Sequence, residues 1–141
     1  MRRILGEQST MHVRTNRIGL LTIHASAPVV DGEVSDSDLH FTVRIDQVDT
    51  GNPLLDPELH ALIHQLTSGE LTFTGRRDGP VYTGHAQAGD IVVPLSLSAV
   101  GDTALEIAGS SQFSDVQLPL PGLGHIRHLA VDIDGRLHLA D

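Results

Sequence analysis

Two pairs of histidines are the first residues of this sequence that could do chemistry. His60 and His64 lie four residues apart, and His125 and His128 lie three apart. Histidines at i and i+4 of a helix can bind one metal ion. A catalytic zinc helix also needs a glutamate directly after the first histidine, and Ala61 occupies that position. Nine histidines occur in 141 residues, so chance pairs are expected. We therefore predict no metal site and interpret His60 and His64 as a polar helix face.

No catalytic pattern accompanies these histidines. No serine lies in a Gly-x-Ser-x-Gly turn, and neither type of glycine-rich phosphate loop occurs. The chain has no cysteine, which excludes thiol nucleophiles, disulfides and zinc-thiolate sites. An enzyme with a histidine at the mouth of a barrel stays open as an alternative, with His85, His125 and His128 as its candidates. We predict a protein that is not an enzyme and that needs no cofactor.

The composition limits the partners and the compartment. The net charge is −9, and so acidic a surface repels nucleic-acid phosphates and anionic lipid head groups. Hydrophobic residues make up 40% of the chain but aromatic residues only 3%, so the core must be aliphatic. The N-terminal sequence MRRILGEQST has no apolar run of signal-peptide length, and no stretch approaches the ~18 apolar residues of a membrane span. We expect a cytoplasmic protein with no nucleic-acid partner and no integral membrane association.

Alternation of apolar and polar residues predicts strands over most of the chain. In the clearest case, Leu39, Phe41, Val43 and Ile45 face one way, and the polar residues between them and Asp46 face the other. Further apolar runs are Met11–Thr15, Leu20–His24, Leu71–Phe73, Val81–Ala88, Ile91–Ala99, Leu105–Ile107 and Leu129–Ile133. Asp134-Gly135 is the dipeptide that a tight hairpin favours, and Pro119–Gly124 is predicted to be a loop. About eight strands at short spacing indicate an antiparallel barrel or sandwich.

One segment has helical spacing instead. Leu59, Ile63 and Leu66 recur at the helical period, Pro57 suits a first turn, and Asp56 is a good N-cap. We predict one short helix at about residues 57–66, which packs on the barrel through Leu59 and Ile63. The expected organisation is an N-terminal extension, residues 1–10, followed by a single all-β domain, residues 11–141. An eight-stranded barrel is either filled by side chains or holds one small ligand, and the strand pattern leaves both open.

Several short motifs occur in a fixed order along this chain. They are Val13–Gly19, Thr50-Gly51-Asn52-x-x-x-Asp56-x-x-Leu59 after a strand, Leu71–Phe73, Gly89–Leu95 and Gln112–Val116. From about Met11 to Leu139 they resemble the YceI-like family, whose members are lipocalin-like barrels that bind polyisoprenoid lipids. The chain is identified as a short, divergent bacterial member. Leu55 stands where the family usually has arginine, which removes one partner for a pyrophosphate head group.

The resemblance and the strand pattern together predict a lipocalin-like antiparallel β-barrel that binds or carries an apolar lipid chain. The expected ligand is a polyisoprenoid or fatty-acyl chain in the barrel lumen. The alternative is a degenerate barrel with a filled core that acts as a protein-interaction or homodimeric module. The candidate lumen residues, each of which could equally be ordinary core, are Phe41, Val43, Ile45, Phe73, Val93, Leu95, Leu97, Leu105 and Ile107.

Overall fold

The computed structural model describes the backbone of residues 2–16, 22–118 and 124–140, and the side chains within these ranges except those of residues 116–118 and 124–126. The described strands are β1 (Arg2–Arg3), β2 (Thr10–Thr15), β3 (His24–Val34), β4 (Asp38–Arg44), β5 (Glu70–Asp78), β6 (Val81–Ala88), β7 (Ile91–Val100), β8 (Ala104–Leu118) and β9 (Gly124–His138). Two 3₁₀ turns, Gly6–Gln8 and Ile45–Gln47, and one helix, α1 (Asp56–Leu66), complete the described elements.

Strands β2 to β9 form a closed antiparallel barrel. Each pairs with the next along the chain, and β9 returns to pair with β2. Closure pairs the last strand with the first, so β2 and β9 cover each other's edges. The predicted all-β barrel of about eight strands with one helix is therefore confirmed.

The first residues of the chain belong to the barrel wall. Strand β1 pairs with the end of β3, through Arg2 opposite Val34 and Arg3 opposite Glu33. Ile4 is buried in the core, and its backbone bridges Leu139. The Gly6–Gln8 3₁₀ turn then separates β1 from β2, which also pairs with β3. The domain boundary at residue 10 stays a prediction.

The alternating side chains fill the interior as their pattern predicts. Inward-facing residues form one continuous apolar cluster, with the rings of Phe41 and Phe73 tilted against each other at 5.6 Å between centroids. With so few aromatic residues, this pair is surrounded by leucine, isoleucine and valine side chains.

The predicted hairpin at Asp134-Gly135 is wrong. Both residues lie inside the continuous strand β9, with Gly135 opposite Met11 on one side and Ile107 on the other. A Cβ on Gly135 would collide with Sδ of Met11, so this glycine makes room for a neighbouring side chain and does not form a turn. The predicted loop at Pro119–Gly124 lies outside the described residues except for Gly124, which begins β9. Residues 20 and 21 of the predicted strand Leu20–His24 also lie outside them, whereas Thr22 and Ile23 are in no strand and His24 begins β3.

Helix α1 follows the prediction closely, but its N-cap does not. The helix begins at Asp56, and Leu55 in the cap position makes no side-chain cap hydrogen bond. Asp56 instead accepts hydrogen bonds from the backbone N–H and the hydroxyl of Thr50, at 3.0 and 2.5 Å. These two bonds lower the pKa of the Asp56 carboxyl. Asp56 therefore fixes the turn that leads into the helix.

Candidate ligand-binding interior

The two ends of the barrel are built differently. The β3–β4, β5–β6 and β7–β8 turns lie at one end, which we call the hairpin end. At the other end the chain leaves β4, forms α1 and returns in β5, and we call this the helix end. The β6–β7 turn also lies at the helix end, because a Cβ on Gly89 would come 2.8 Å from the carbonyl oxygen of Leu66.

A row of incompletely buried, inward-facing residues crosses four strands near the helix end. Gly109, Ile133, Val13 and Ala25 lie opposite one another in register on β8, β9, β2 and β3. We call them the open row. All four are only half-buried. Two of these strands, β9 and β2, are hydrogen-bonded on both sides here, so the exposed area of Ile133 and Val13 faces the interior.

The next row towards the hairpin end is fully buried. Two residues further along the same strands lie Ile107, Gly135, Met11 and Ala27, again opposite one another. We call them the closed row, and every member is buried. The change from half-buried to buried therefore occurs at the same level on all four strands.

A cavity of about 860 Å³ lies against the outer side of the barrel wall at this level. Its lining includes the open-row residues of the wall and the segment Asp49–Gly51, no residue of the buried core, and the outward-facing residues His12, Arg14, His24, Ala108, Asp132 and Asp134. Asp49 reaches this position because its backbone pairs with Ser26 of β3. The volume lies within the range of about 300–1,000 Å³ that is typical of small-molecule sites.

The predicted lumen residues belong to the interior but occupy other parts of the wall. Phe41, Val43, Phe73, Leu95, Leu97, Leu105 and Ile107 are buried in one cluster, Ile45 packs against it and Val93 is half-buried. None of the nine lines the 860 Å³ cavity, and Leu105 lines a second cavity of about 500 Å³ at the hairpin end. Their role in ligand binding stays a prediction.

Helix α1 crosses the helix end and fills it incompletely. It starts beside β3, where Thr50 holds Asp56, and ends beside the β6–β7 turn. Its 11 residues span about 16 Å. None of them is buried, and Leu59, Leu62 and Ile63 are half-buried. The prediction that Leu59 and Ile63 pack on the barrel is thus only partly realised.

Polar contacts fasten the helix to the 3₁₀ turn that follows β4. The ring Nε2 of His60 lies 2.5 Å from the carbonyl oxygen of Val48, to which it donates. Nε2 of His64 lies 3.5 Å from a carboxylate oxygen of Asp46. The interpretation of both histidines as a polar helix face is corrected only in part: His60 is half-buried against the Val48 carbonyl, whereas the His64 side chain is 59% exposed.

Asp46 is the anchor of this fastening. Its side chain is 6% exposed and accepts two hydrogen bonds from the Arg44 guanidinium, at 2.9 and 2.7 Å. This bidentate pair lowers the pKa of Asp46 despite its burial, and the neighbouring His64 acts in the same direction. The predicted outward strand position of Asp46 is wrong because β4 ends at Arg44 and the 3₁₀ turn rotates Asp46 inward.

A seam separates β7 from β8 at the helix end. The two strands pair from Leu97 opposite Gly109 to Val100 opposite Glu106. Within the described chain, Ile91–Ser96 of β7 pair with β6 only, and residues 110–118 of β8 pair with β9 only. Pro94, in the unpaired part of β7, has no N–H to donate across the seam. Ile91 and Val92, in the same unpaired part of β7, are 47% and 55% exposed.

The described interior offers apolar surface without unpaired charge. Ser9 and Asp46 are the buried polar residues in this part of the chain, and Asp46 is neutralised by Arg44. Every buried side-chain nitrogen and oxygen atom described has a hydrogen-bond partner. A ligand in this space would meet mainly aliphatic side chains, so it must itself be apolar.

The candidate histidines of the enzyme alternative do not converge. His85 and His128 are exposed on outward faces of β6 and β9, and the side chain of His125 lies outside the described ones. Among the described residues, no three His, Asp or Glu side chains are placed to hold a metal ion.

Comparison with known proteins gives matches among solved structures. No protein family profile and no curated protein sequence matches the chain. Among solved structures, a polyisoprenoid-binding domain from Saccharophagus degradans, implicated in plant cell wall breakdown, superimposes with a TM-score of 0.65. The chain has the fold of that domain. The alignment covers 99% of this chain and 98% of that one at 11% sequence identity. The match confirms, at the level of the fold, the resemblance to YceI-like barrels. No described helix is long and apolar enough to cross a membrane.

The sequence contained a signal for the open row that strand patterns alone did not reveal. Ala25 and Gly109 are small, and they alternate with polar residues in strands that look weak by hydropathy. Small inward-facing residues are what leave a cavity in a barrel wall. Their significance becomes visible once the register places them beside Val13 and Ile133.

Proposed function

We propose that this protein binds or carries the apolar chain of a lipid, polyisoprenoid or fatty-acyl, inside the helix end of its barrel, without catalysing a reaction. The observation that carries the proposal is the half-buried open row, whose aliphatic side chains face the barrel interior near the helix end. Half-buried aliphatic side chains that face an interior gain about 25 cal/mol per Å² when a ligand removes them from water.

Three further observations support this function. The described interior has no unpaired charge, which suits a hydrocarbon chain. The helix end is covered by a helix without buried residues and bordered by a seam, so a chain has a route of entry. A domain of the same fold is described as polyisoprenoid-binding. In this proposal the nine candidates from Phe41 to Ile107, seven of them buried, form the remainder of the wall that a bound chain approaches.

The proposed setting follows from the sequence. The acidic charge suits a cytoplasmic bacterial protein that acts as a single domain. Its partner would be a hydrophobic small molecule and not a nucleic acid.

A second candidate function is a filled barrel that acts as a protein-interaction or homodimeric module. It is favoured by the tightly buried hairpin end and by the exposed apolar side chains of Ile91 and Val92 beside the unpaired edge of β7. Backbone groups on such an edge can pair with a strand of another chain.

Native mass spectrometry of the purified protein, followed by organic extraction, distinguishes the two functions. The carrier function predicts a co-purified lipid, or uptake of added farnesol or palmitate at one molecule per chain. The filled-barrel function predicts neither, and it predicts a concentration-dependent dimer in the same spectra. A monomer that takes up no prenyl or fatty-acyl compound would overturn the carrier function.

A further inference from the structure

Exposed apolar side chains are concentrated at the helix end of the barrel. Among the described residues six large hydrophobic side chains are exposed, and two of them lie elsewhere: Val30 in the middle of β3 and Val100 at the hairpin end. The other four, which we call the apolar rim, are Leu54, Leu66, Ile91 and Val92. Single exposed apolar residues are common on protein surfaces, whereas a cluster of them marks a surface that binds a partner.

One face of helix α1 continues the rim towards the barrel interior. The leucines of this face recur at helical spacing and therefore lie along one side of the helix: Leu55, Leu59, Leu62 and Leu66. The first three are half-buried, whereas Leu66 is 54% exposed. His60, which fastens the helix to the carbonyl of Val48, lies outside this face. The leucine face is therefore not the face through which α1 is held on the barrel.

The C-terminal end of α1 meets the β6–β7 turn. A Cβ on Gly89 would come 2.8 Å from the carbonyl oxygen of Leu66, and Ile91 and Val92 follow this glycine closely. Ile91 lies opposite the buried Ala88 and so faces inward, whereas Val92 lies opposite the exposed Gln87 and faces outward. The leucine face and the rim thus form one apolar path from the barrel interior to the outer surface.

The charges beside the rim indicate which partner fits it. The chain contains no lysine, and neither α1 nor the segment Gly89–Val92 contains an arginine. Glu58 and Asp90, which are exposed in these two segments, are both acidic. Anionic lipids attract basic segments, so they are repelled here. The rim is also wholly aliphatic, whereas the cores of protein–protein interfaces are enriched in aromatic residues and arginine.

Resting on the function proposed above, we propose that the apolar rim docks the protein reversibly on an electrically neutral lipid bilayer. Leu66 and Val92 enter the interfacial region of the bilayer, and Ile91 lies at its edge. The leucine face of α1 then gives an apolar chain a path between the bilayer and the barrel interior. A chain that follows this path is never fully exposed to water, which removes the largest cost of its transfer.

Vesicle flotation tests the docking without any ligand. Phosphatidylcholine vesicles are neutral overall, and added phosphatidylglycerol makes them anionic. We expect the wild-type protein to float with phosphatidylcholine vesicles and to bind less when phosphatidylglycerol is present, with the greatest loss at low salt. Tighter binding to the anionic vesicles would overturn the assignment of a neutral surface.

Two valines on the outer face of β7 provide a matched pair of variants. Val92 is 55% exposed at the helix end, and Val100 is 67% exposed at the hairpin end. Val92→Thr replaces a methyl group by a hydroxyl and should weaken vesicle binding at least about threefold. Val100→Thr is the same change outside the rim and should have no effect. Leu66→Gln, at an exposed helix position, should weaken binding about tenfold.

Transfer kinetics test the path along the leucine face. When farnesol-loaded protein is mixed with phosphatidylcholine vesicles, the rate of transfer should rise in proportion to the vesicle concentration, because transfer occurs during docking. Leu66→Gln should reduce this dependence. A transfer rate that is independent of vesicle concentration would mean that farnesol crosses the water alone, and it would overturn the path.

The outcomes separate docking from ligand binding. Wild-type protein that does not float with phosphatidylcholine vesicles, or equal losses in Val92→Thr and Val100→Thr, would overturn the docking surface and leave farnesol uptake intact. A dimer that Leu66→Gln dissociates, without vesicle binding, would assign the rim to a second copy of the chain and overturn the proposal as well. Failure of farnesol and palmitate to bind the wild-type protein would overturn the proposed function and the path, whereas flotation measures the docking separately.

Discussion

Strand β9 carries two leucines that face the same interior and are buried to different extents. Leu137, towards the hairpin end, is fully buried opposite Leu105, whereas Leu129, towards the helix end, is half-buried opposite Phe113. Both lie on the inward face of one strand, so the alternation of inward and outward residues predicts the same burial for both. The difference arises from what closes each end of the barrel.

The hairpin end is closed by apolar side chains from both termini of the chain. Ile4 and Leu139 bridge each other across the edge and are both buried. The Tyr82 hydroxyl donates to the carbonyl oxygen of Ser35 at 3.0 Å and holds the β3–β4 turn over this end. The helix end is closed by α1 instead, which is fastened by polar contacts and buries none of its own side chains. A barrel can therefore be stable at one end and accessible at the other.

The largest effect on stability should come from shortening the buried leucine. Leu137→Ala removes a fully buried side chain from the closed end and should lower the free energy of unfolding by about 2–5 kcal/mol. Leu129→Ala, the matched change on the same strand, should cost less than about half as much, because its side chain already meets open space. Urea denaturation of both variants measures the difference. Equal losses would mean that the helix end is as tightly packed as the hairpin end.

Enlarging one alanine in each row should lower stability in the closed row and weaken farnesol binding in the open row. Ala27→Leu overfills the closed row and should destabilise the protein by about 1–3 kcal/mol. Ala25→Leu, two residues away, places its side chain beside the half-buried residues of the open row and should change stability by no more than about 0.5 kcal/mol. The same variant should weaken farnesol binding at least about tenfold. An Ala25→Leu protein that unfolds like Ala27→Leu and binds farnesol normally would contradict a ligand site at the open row.

The fastening of the helix predicts a pH dependence that originates at Asp46. Hydrogen bonds from Arg44 lower the folded-state pKa of this carboxyl below its unfolded value of about 3.9. The group therefore contributes stability above about pH 4, and that contribution is lost as the pH falls through the folded pKa. Thermal midpoints from pH 6 to pH 2.5 should fall more steeply in the wild type than in Asp46→Asn.

The control for this prediction is an exposed carboxylate at the other end. Asp102 lies 3.8 Å from Arg2 with a side chain that is 99% exposed, and such a surface pair contributes little. Asp102→Asn should retain the wild-type slope. A wild-type slope in Asp46→Asn would show that the carboxylate does not stabilise the turn beneath the helix.

The strands could be predicted from sequence because alternation is a local property. The run from Leu39 to Val43 and the run from Ile91 to Ala99 lie in β4 and β7, and the alternating apolar residues of β4 and of Leu95–Ala99 face the core. The helix could be predicted equally well, because the helical spacing of apolar residues and a proline in the first turn are also local signals. The barrel followed from the number and spacing of such segments.

The cavity could not be predicted because it depends on register between distant strands. Ala25 and Gly109 are 84 positions apart in the printed sequence, and only the pairing through Val13 and Ile133 brings them to one level. Gly135 was misjudged for the same reason. Locally, Asp134-Gly135 has the composition of a turn, and the Met11 side chain that requires a glycine there comes from the other end of the chain.

The smallest expected effect comes from removing one hydrogen bond at each end of the barrel. Tyr82→Phe removes the bond to Ser35, and His60→Ala removes the bond to the Val48 carbonyl. Each should lower the free energy of unfolding by about 0.5–1.5 kcal/mol, the usual net contribution of such a bond.

Only His60→Ala loosens the cover of the helix end, so it alone should speed the release of bound farnesol. The release rate is measured by dilution into lipid vesicles, which take up the released farnesol. Tyr82→Phe should release farnesol at the wild-type rate, because the buried closed row separates the hairpin end from the open row. Faster release from Tyr82→Phe would mean that the ligand leaves through the closed end, which would reverse the assignment of the two ends.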